Sequence, residues 1–159
     1  MHRRDFARLT AVTALAVTAP GCARRNTTNT MSATSTLRMR PIDPSPGLAY
    51  AHAVEIAGFQ RLLFISGQVP ADADGNVPAD YPSQYRLAWS NIEARLKAAG
   101  MTFDNLVKVT IFLSDRRYVK ESYGLRPQVL GDRSPAITIV ITGIYDEAWL
   151  LEIEAIAAA

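Results

Sequence analysis

A chain of 159 residues suits one domain, and setting aside an N-terminal leader and tether leaves roughly 115 residues to fold, enough for a single hydrophobic core. Five of the 17 Lys and Arg residues (Arg3, Arg4, Arg8, Arg24, Arg25) and one of the 15 acidic residues, Asp5, precede Met31, leaving 12 basic against 14 acidic residues beyond it. The formal charge of +2 is therefore a property of the N-terminus, the remainder carries no charge bias toward nucleic acid, and one cysteine, Cys22, excludes an intrachain disulfide and a thiolate metal site.

Residues 1–22 read as an export signal. Arg3-Arg4-Asp5-Phe6 is similar to the core of a twin-arginine signal, and the apolar run Leu9 to Ala19 has signal-peptide length, too short to span a bilayer. Cys22 follows Ala19-Pro20-Gly21 at a weak lipoprotein-like cleavage site, so a lipid on Cys22 is the one membrane attachment expected, and an incidental cysteine is the alternative. The expected location is periplasmic or lipid-anchored; synthesis begun at Met31 would instead give a cytoplasmic protein.

Residues 23–44 divide into a Ser/Thr/Asn-rich tether and an extended lead-in. The tether, through Thr36, has no apolar period with which to order itself, and Pro41 and Pro44 in the lead-in, with Pro46 just after it, lack the amide donors that a central strand needs. The domain proper is expected over residues 45–159. In its first strand Tyr50, His52, Val54 and Ile56 share one face by period two, and the continuous apolar run Leu62-Leu63-Phe64-Ile65 reads as a strand covered on both faces in mid-sheet. Asp72 to Asn76 is turn chemistry around Gly75, without the glycine and glutamate positions of an EF-hand.

Tyr85, Ala88, Trp89, Ile92, Leu96 and Ala99 repeat at helical spacing, with Asp80 to cap and Gly100 to stop, which predicts a helix from about Tyr81 to Ala99 with an outward Glu93–Lys97 pair. Val107, Val109, Ile111 and Leu113 alternate with Lys108, Thr110 and Phe112, predicting a half-buried strand. A second helix starts at Ser114 or Asp115, turns Tyr118, Val119 and Ser122 inward, and runs to about Leu125 before Pro127 breaks or kinks it. Two strands, Ala136 to Thr142 and Leu150 to Ala157, end the chain. The order β-β-α-β-α-β-β defines an α+β fold with helices on one sheet face.

That order, Phe64-Ile65-Ser66-Gly67-Gln68 closing the second strand, Ala98-Ala99-Gly100, Val107 to Asp115, and the terminal Leu151-Glu152-Ile153-Glu154-Ala155-Ile156-Ala157 together resemble the RidA (reactive-intermediate deaminase A) family, over nearly the whole domain. The resemblance implies a chorismate-mutase-like mixed sheet with two helices on one face, assembled as a homotrimer. It also implies clefts between subunits that bind a small-molecule ligand, with no cofactor and no metal. The best-known members hydrolyse 2-imino or enamine acids there to a 2-oxo acid and ammonia. By the same resemblance Glu152 matches the water-orienting glutamate, Tyr50 the cleft tyrosine and Gly67 a main-chain contact.

On spacing alone Glu152 is equally a solvated strand residue, Tyr50 a packed aromatic, His52 a structural histidine and Trp149 core or trimer interface. One departure from the family pattern stands out. Its arginine, two residues after the proline of a Pro-Ala-Arg-Ser segment, is replaced in Pro135-Ala136-Ile137-Thr138, and Ser122 and Tyr123 occupy the stretch of its helix asparagine. Arg133 lies four residues before Ile137, roughly 13 Å along a strand. Arg126 either reaches a cleft or, as the commoner state, is a solvated helix-surface group. Without a cationic fork a desolvated carboxylate binds poorly, so the sequence reading expects a pocket for something other than a bare amino-acid-like anion, and the alternative to catalysis is a non-catalytic metabolite-binding trimer.

Overall fold

The computed structural model describes residues 36–159. The export signal, Cys22, the Met31 start and most of the tether lie outside the described residues. Within them the chain runs β1 (Arg38–Ser45), β2 (Tyr50–Ala57), β3 (Leu62–Gln68), α1 (Tyr81–Ala98), a 3-10 turn, β4 (Leu106–Leu113), a second 3-10 turn, α2 (Val119–Leu130), β5 (Ala136–Ile141) and β6 (Leu151–Ala158). The six strands form one mixed sheet in the order β1-β2-β5-β4-β6-β3, parallel at β2–β5 and β4–β5 and antiparallel elsewhere.

Two strands differ from the sequence reading. The proline-bearing lead-in is extended as expected, and it is itself a strand, β1, paired with β2 from Arg38↔Ala57 to Ser45↔Tyr50. It sits at the sheet's edge, the position where prolines are tolerated because one side needs no donors. The apolar run of β3 forms the other edge instead of the middle, and Phe64 is 71% exposed.

Register sorts the side chains. Val109, Ile111 and Leu113 lie beside Ile137, Ile139 and Ile141 of β5 and beside Ala155, Ile153 and Leu151 of β6. Most of this set is buried under the two helices, packed against Tyr85, Trp89, Ile92, Leu96, Leu125 and Leu130. The opposite face carries Lys108, Thr110 and Phe112 beside Ile156, Glu154 and Glu152, and Phe64 joins it opposite Ile156. Apolar side chains on both faces with helices on only one is the pattern of a sheet completed by association.

α1 begins as predicted: the Asp80 carboxylate accepts the Ser83 amide at 2.9 Å, which holds the Asp80 carboxyl below the usual range. Glu93 and Lys97 pair at 2.9 Å. Asp115 caps the short turn before α2 by accepting from the Arg117 amide. α2 runs on past Pro127 to Leu130, beyond the predicted end. The proline removes one amide donor, but the turn after it places Leu130, fully buried, in the core, and that burial outweighs one missing hydrogen bond.

Candidate functional site

The carboxylate of Glu152 lies directly over Gly67. A Cβ built on Gly67 would fall 1.5 Å from Glu152 Oε1 and 2.5 Å from its carboxyl carbon, so the glutamate head occupies the space any other residue at 67 would fill. Local sequence produces this approach. The register of β3 against β6 shifts between Ile65 and Gln68, a bulge that re-aims the backbone at Ser66-Gly67, and the Gln68 side-chain amide donates to the Ser66 carbonyl at 3.0 Å. Glu152 itself is paired across β4 with Phe112 and is half-buried.

Two amides on α1 fix this half of the site. The Asn91 side-chain amide donates to the carbonyls of Val69 and Ala71, both at 2.9 Å, tying down the chain just after Gly67-Gln68. Gln84, buried, donates to the carbonyls of Pro78 and Ala148 and accepts the Leu150 amide at 2.8 Å, which sets the start of β6 two residues before Glu152. Neither amide entered the sequence reading, and their positions on the inward side of α1 were the available signal.

Tyr50 lies elsewhere. It lines a pocket of about 260 Å³ with Leu48, Tyr123, Arg126, Ile137 and Ile139, on the helix side of the sheet and against α2. Its hydroxyl and His52 Nδ1 are 3.0 Å apart with the rings edge-on, so the exposed His52 is the hydroxyl's partner and not a core histidine. Glu152 and Tyr50 thus stand on opposite faces of the sheet, and one protomer does not bring them together. Trp149 is half-buried against the exposed Tyr145 ring and is not core.

Ile137 lines the Tyr50 pocket, in the slot where the resemblance leads one to look for an arginine. The solvated Arg126 of the sequence reading is overturned, because this residue is 2% exposed. Its guanidinium lies 4.9 Å over the Tyr123 ring, and its Nε and Nη2 are sealed from solvent without a hydrogen-bond partner. The physical reason is periodicity. With α2 continuing through Pro127, residues 122, 125, 126 and 130 fall on the face that packs inward, as Ser122, Leu125, Arg126 and Leu130 all do. Arg133 is engaged elsewhere, its Nε donating to Asp104 at 2.7 Å and its Nη1 to the Leu130 carbonyl.

Around Arg126 gather further polar atoms without partners: the hydroxyls of Tyr81, Tyr85 and Ser122, all buried. Burial pushes both tyrosine hydroxyls well above their ordinary range, and it pulls Arg126 down, against the opposing influence of Tyr85. The guanidinium nonetheless stays charged at neutral pH. Among the described residues no group of three or more His, Cys, Asp or Glu is placed to hold a metal ion.

Fold and site together define an α+β subunit with a carboxylate set on a backbone glycine at one place and an apolar pocket walled by a buried cation at another. The Endoribonuclease L-PSP family model matches residues 42–159. The RutC family protein PH0854 of Pyrococcus horikoshii is 34% identical over 116 residues, covering 72% of this chain and 90% of its own. TdcF of Escherichia coli, whose name includes the words "reactive intermediate deaminase", is 34% identical over 67 residues, 42% of this chain and 50% of its own. Among solved structures, the Rid family protein YyfB of Yersinia pestis superposes with a TM-score of 0.68 at 23% identity, covering 76% of this chain and 98% of that one, a likeness of fold. The chain belongs to the Endoribonuclease L-PSP family, that of the RidA and RutC proteins. It is a RidA-type small-molecule enzyme or binder.

Proposed function

We propose that this protein is a RidA-like hydrolase that deaminates an enamine or imine to a carbonyl compound and ammonia, in clefts formed where protomers of a homotrimer meet. An enamine first tautomerises to the imine. Water then adds to the C=N carbon, the C–N bond breaks, and ammonia leaves with the protons that water supplied. Glu152 orients the water and takes its proton, the Gly67 backbone contacts the substrate, and Tyr50 lines the binding wall.

The observation that carries this reading is the fit of the Glu152 carboxylate onto Gly67: nothing but glycine leaves room for it. Tyr50 lies on the other sheet face, so joining the two halves takes a second copy, and the bare sheet face that carries Phe64, Phe112 and Ile156 supplies the surface for association. The charge balance beyond Met31 favours a small metabolite over a ribonucleic acid, despite the family model's description. The leader adds export to the proposal, with lipid attachment at Cys22 as its variant.

The test is ammonia release from imines generated in situ. The wild type accelerates it, and Glu152→Gln lowers the rate by about 10²- to 10⁴-fold; equal rates with wild type, Glu152→Gln and no protein would end the catalytic reading. Ile137 in the arginine slot favours a second reading, a non-catalytic metabolite-binding trimer, which such equal rates combined with ligand-dependent melting shifts would support.

A further inference from the structure

Six side-chain nitrogen and oxygen atoms among the described residues are buried without a hydrogen-bond partner, and they are not scattered. All belong to the two helices: the Tyr81 and Tyr85 hydroxyls and the Trp89 indole Nε1 on α1, and the Ser122 hydroxyl with Arg126 Nε and Nη2 on α2. Residues 81, 85 and 89 repeat at four-residue spacing, as do 122 and 126, so each set is one stripe along its helix. Buried polar groups are ordinarily hydrogen-bonded, and a seam that concentrates the exceptions calls for a physical cause.

The Tyr85 hydroxyl is the centre of the seam. Burial pushes it above its ordinary range, and Trp89, Arg126 and Ser122 all stand close enough to oppose that push. None of the three is aligned to hydrogen-bond it. The indole and guanidinium N–H groups can only donate, and hydroxyls that turn to accept supply no charge. None of the four ion pairs among the described residues involves Arg126, so the cluster carries one unanswered positive charge. A buried charge of this kind is costly until an anion meets it.

The form of that anion follows from the surroundings. Nε and Nη2 lie along one edge of the guanidinium, where their N–H groups can share a single acceptor. Tyr85, Trp89, Ser122 and Arg126 are each at most 2% exposed, which leaves no opening for the body of an organic acid. Water would bring two hydrogens of its own to a site crowded with donors, and no charge. We infer that a monatomic halide, chloride under ordinary conditions, binds in the seam and ties α2 to α1, held by Arg126 Nε and Nη2, Trp89 Nε1 and the hydroxyls of Tyr85 and Ser122. Tyr81, a turn away and stacked on Tyr118, lies outside this set. The site is separate from the Tyr50 pocket, since only Arg126 of the four residues also lines that pocket, and imine hydrolysis plays no part in it.

Bromide substitutes for chloride and scatters anomalously. A crystal of the protein grown in sodium bromide is expected to show an anomalous peak at hydrogen-bonding distance from Arg126, Trp89 and Tyr85. Density there without anomalous signal, or bromide on the surface alone, overturns the inference. In solution, chloride exchanged for gluconate at constant ionic strength is expected to raise the melting temperature by about 5 °C for each tenfold beyond half-saturation. A melting temperature indifferent to the exchange means an adventitious ion only, even if the crystal shows a peak. Arg126→Met, similar in length and uncharged, is expected to fold and to melt alike in both salts; a wild-type response from it places the ion elsewhere. Ser122→Ala, the mildest change, is expected to need roughly tenfold more chloride for the same effect, and an unmoved response refutes the assigned ligand set.

Discussion

Replacing Gly67 by alanine puts a methyl group where the Glu152 carboxylate now lies. The new carbon would stand 1.5 Å from Oε1, 2.5 Å from the carboxyl carbon and 3.0 Å from Cγ, so the head must retreat by about 2 Å to reach ordinary contact. Every clashing atom belongs to that one side chain. The backbone need not move, and the cost is a rotamer displacement of about 0.5–1.5 kcal/mol. Against it stands a gain of about 0.4–1 kcal/mol, because alanine has fewer unfolded conformations to lose. The net change is within about 1 kcal/mol, a melting shift of a few degrees. A misplacement of 1 Å costs about 10²-fold in rate, so Gly67→Ala is expected to fold normally while losing at least that much imine hydrolysis. A double-mutant cycle with Glu152→Ala sharpens the reasoning: once the carboxylate is gone, Gly67→Ala should be neutral or stabilising. Chemical denaturation of the four proteins measures this. If Gly67→Ala costs several kcal/mol and the loss persists in the Glu152→Ala background, the glycine serves the backbone and not the carboxylate.

The remaining predictions concern stability and assembly. Tyr81 and Tyr85 hold their protons in the fold above the pH at which an unfolded chain releases them, so the unfolded state binds fewer protons there; stability is level below about pH 10 and falls as pH rises beyond it. Tyr81→Phe removes a hydroxyl without a partner and keeps the stack on Tyr118 at 4.6 Å, so at pH 7 it should be neutral or stabilising, and its alkaline unfolding should be shallower than the wild type's. An identical alkaline profile for the variant would show that Tyr81 titrates freely in the fold. Phe64→Glu places charge on the bare sheet face, and sedimentation should show a trimer of wild-type chains replaced by folded monomers. An unchanged mass would place the interface elsewhere.

Much of the fold was legible along the chain because its signals are local. Leu106 to Leu113 and Leu151 to Ala158 alternate as strands that cover one face of a core, and the stripe from Tyr85 to Leu96 needs only its own spacing and the Asp80 cap to be a helix. Glu152, Gly67 and Tyr50 were reached through resemblance, since spacing alone left Glu152 and Tyr50 with ordinary structural roles. Arg126 was within reach of the 3.6-residue period, but Pro127 argued for ending the helix at Leu125 and so concealed the inward face that 122, 125, 126 and 130 share.

What the amino-acid order determined by itself is therefore most of the elements, and for α1, β4 and β6 the side that each one buries, because period and capping act between residues a few positions apart. The tertiary structure alone decided the order of strands, which sent the apolar β3 to an edge, and the carrying of α2 past its proline to bury Leu130. It likewise decided that the cation of the Tyr50 pocket comes from α2 instead of β5. Those outcomes depend on energies shared between segments far apart in the chain, where the burial of a whole helix face outweighs one lost amide bond and a buried charge is held by whatever closes around it.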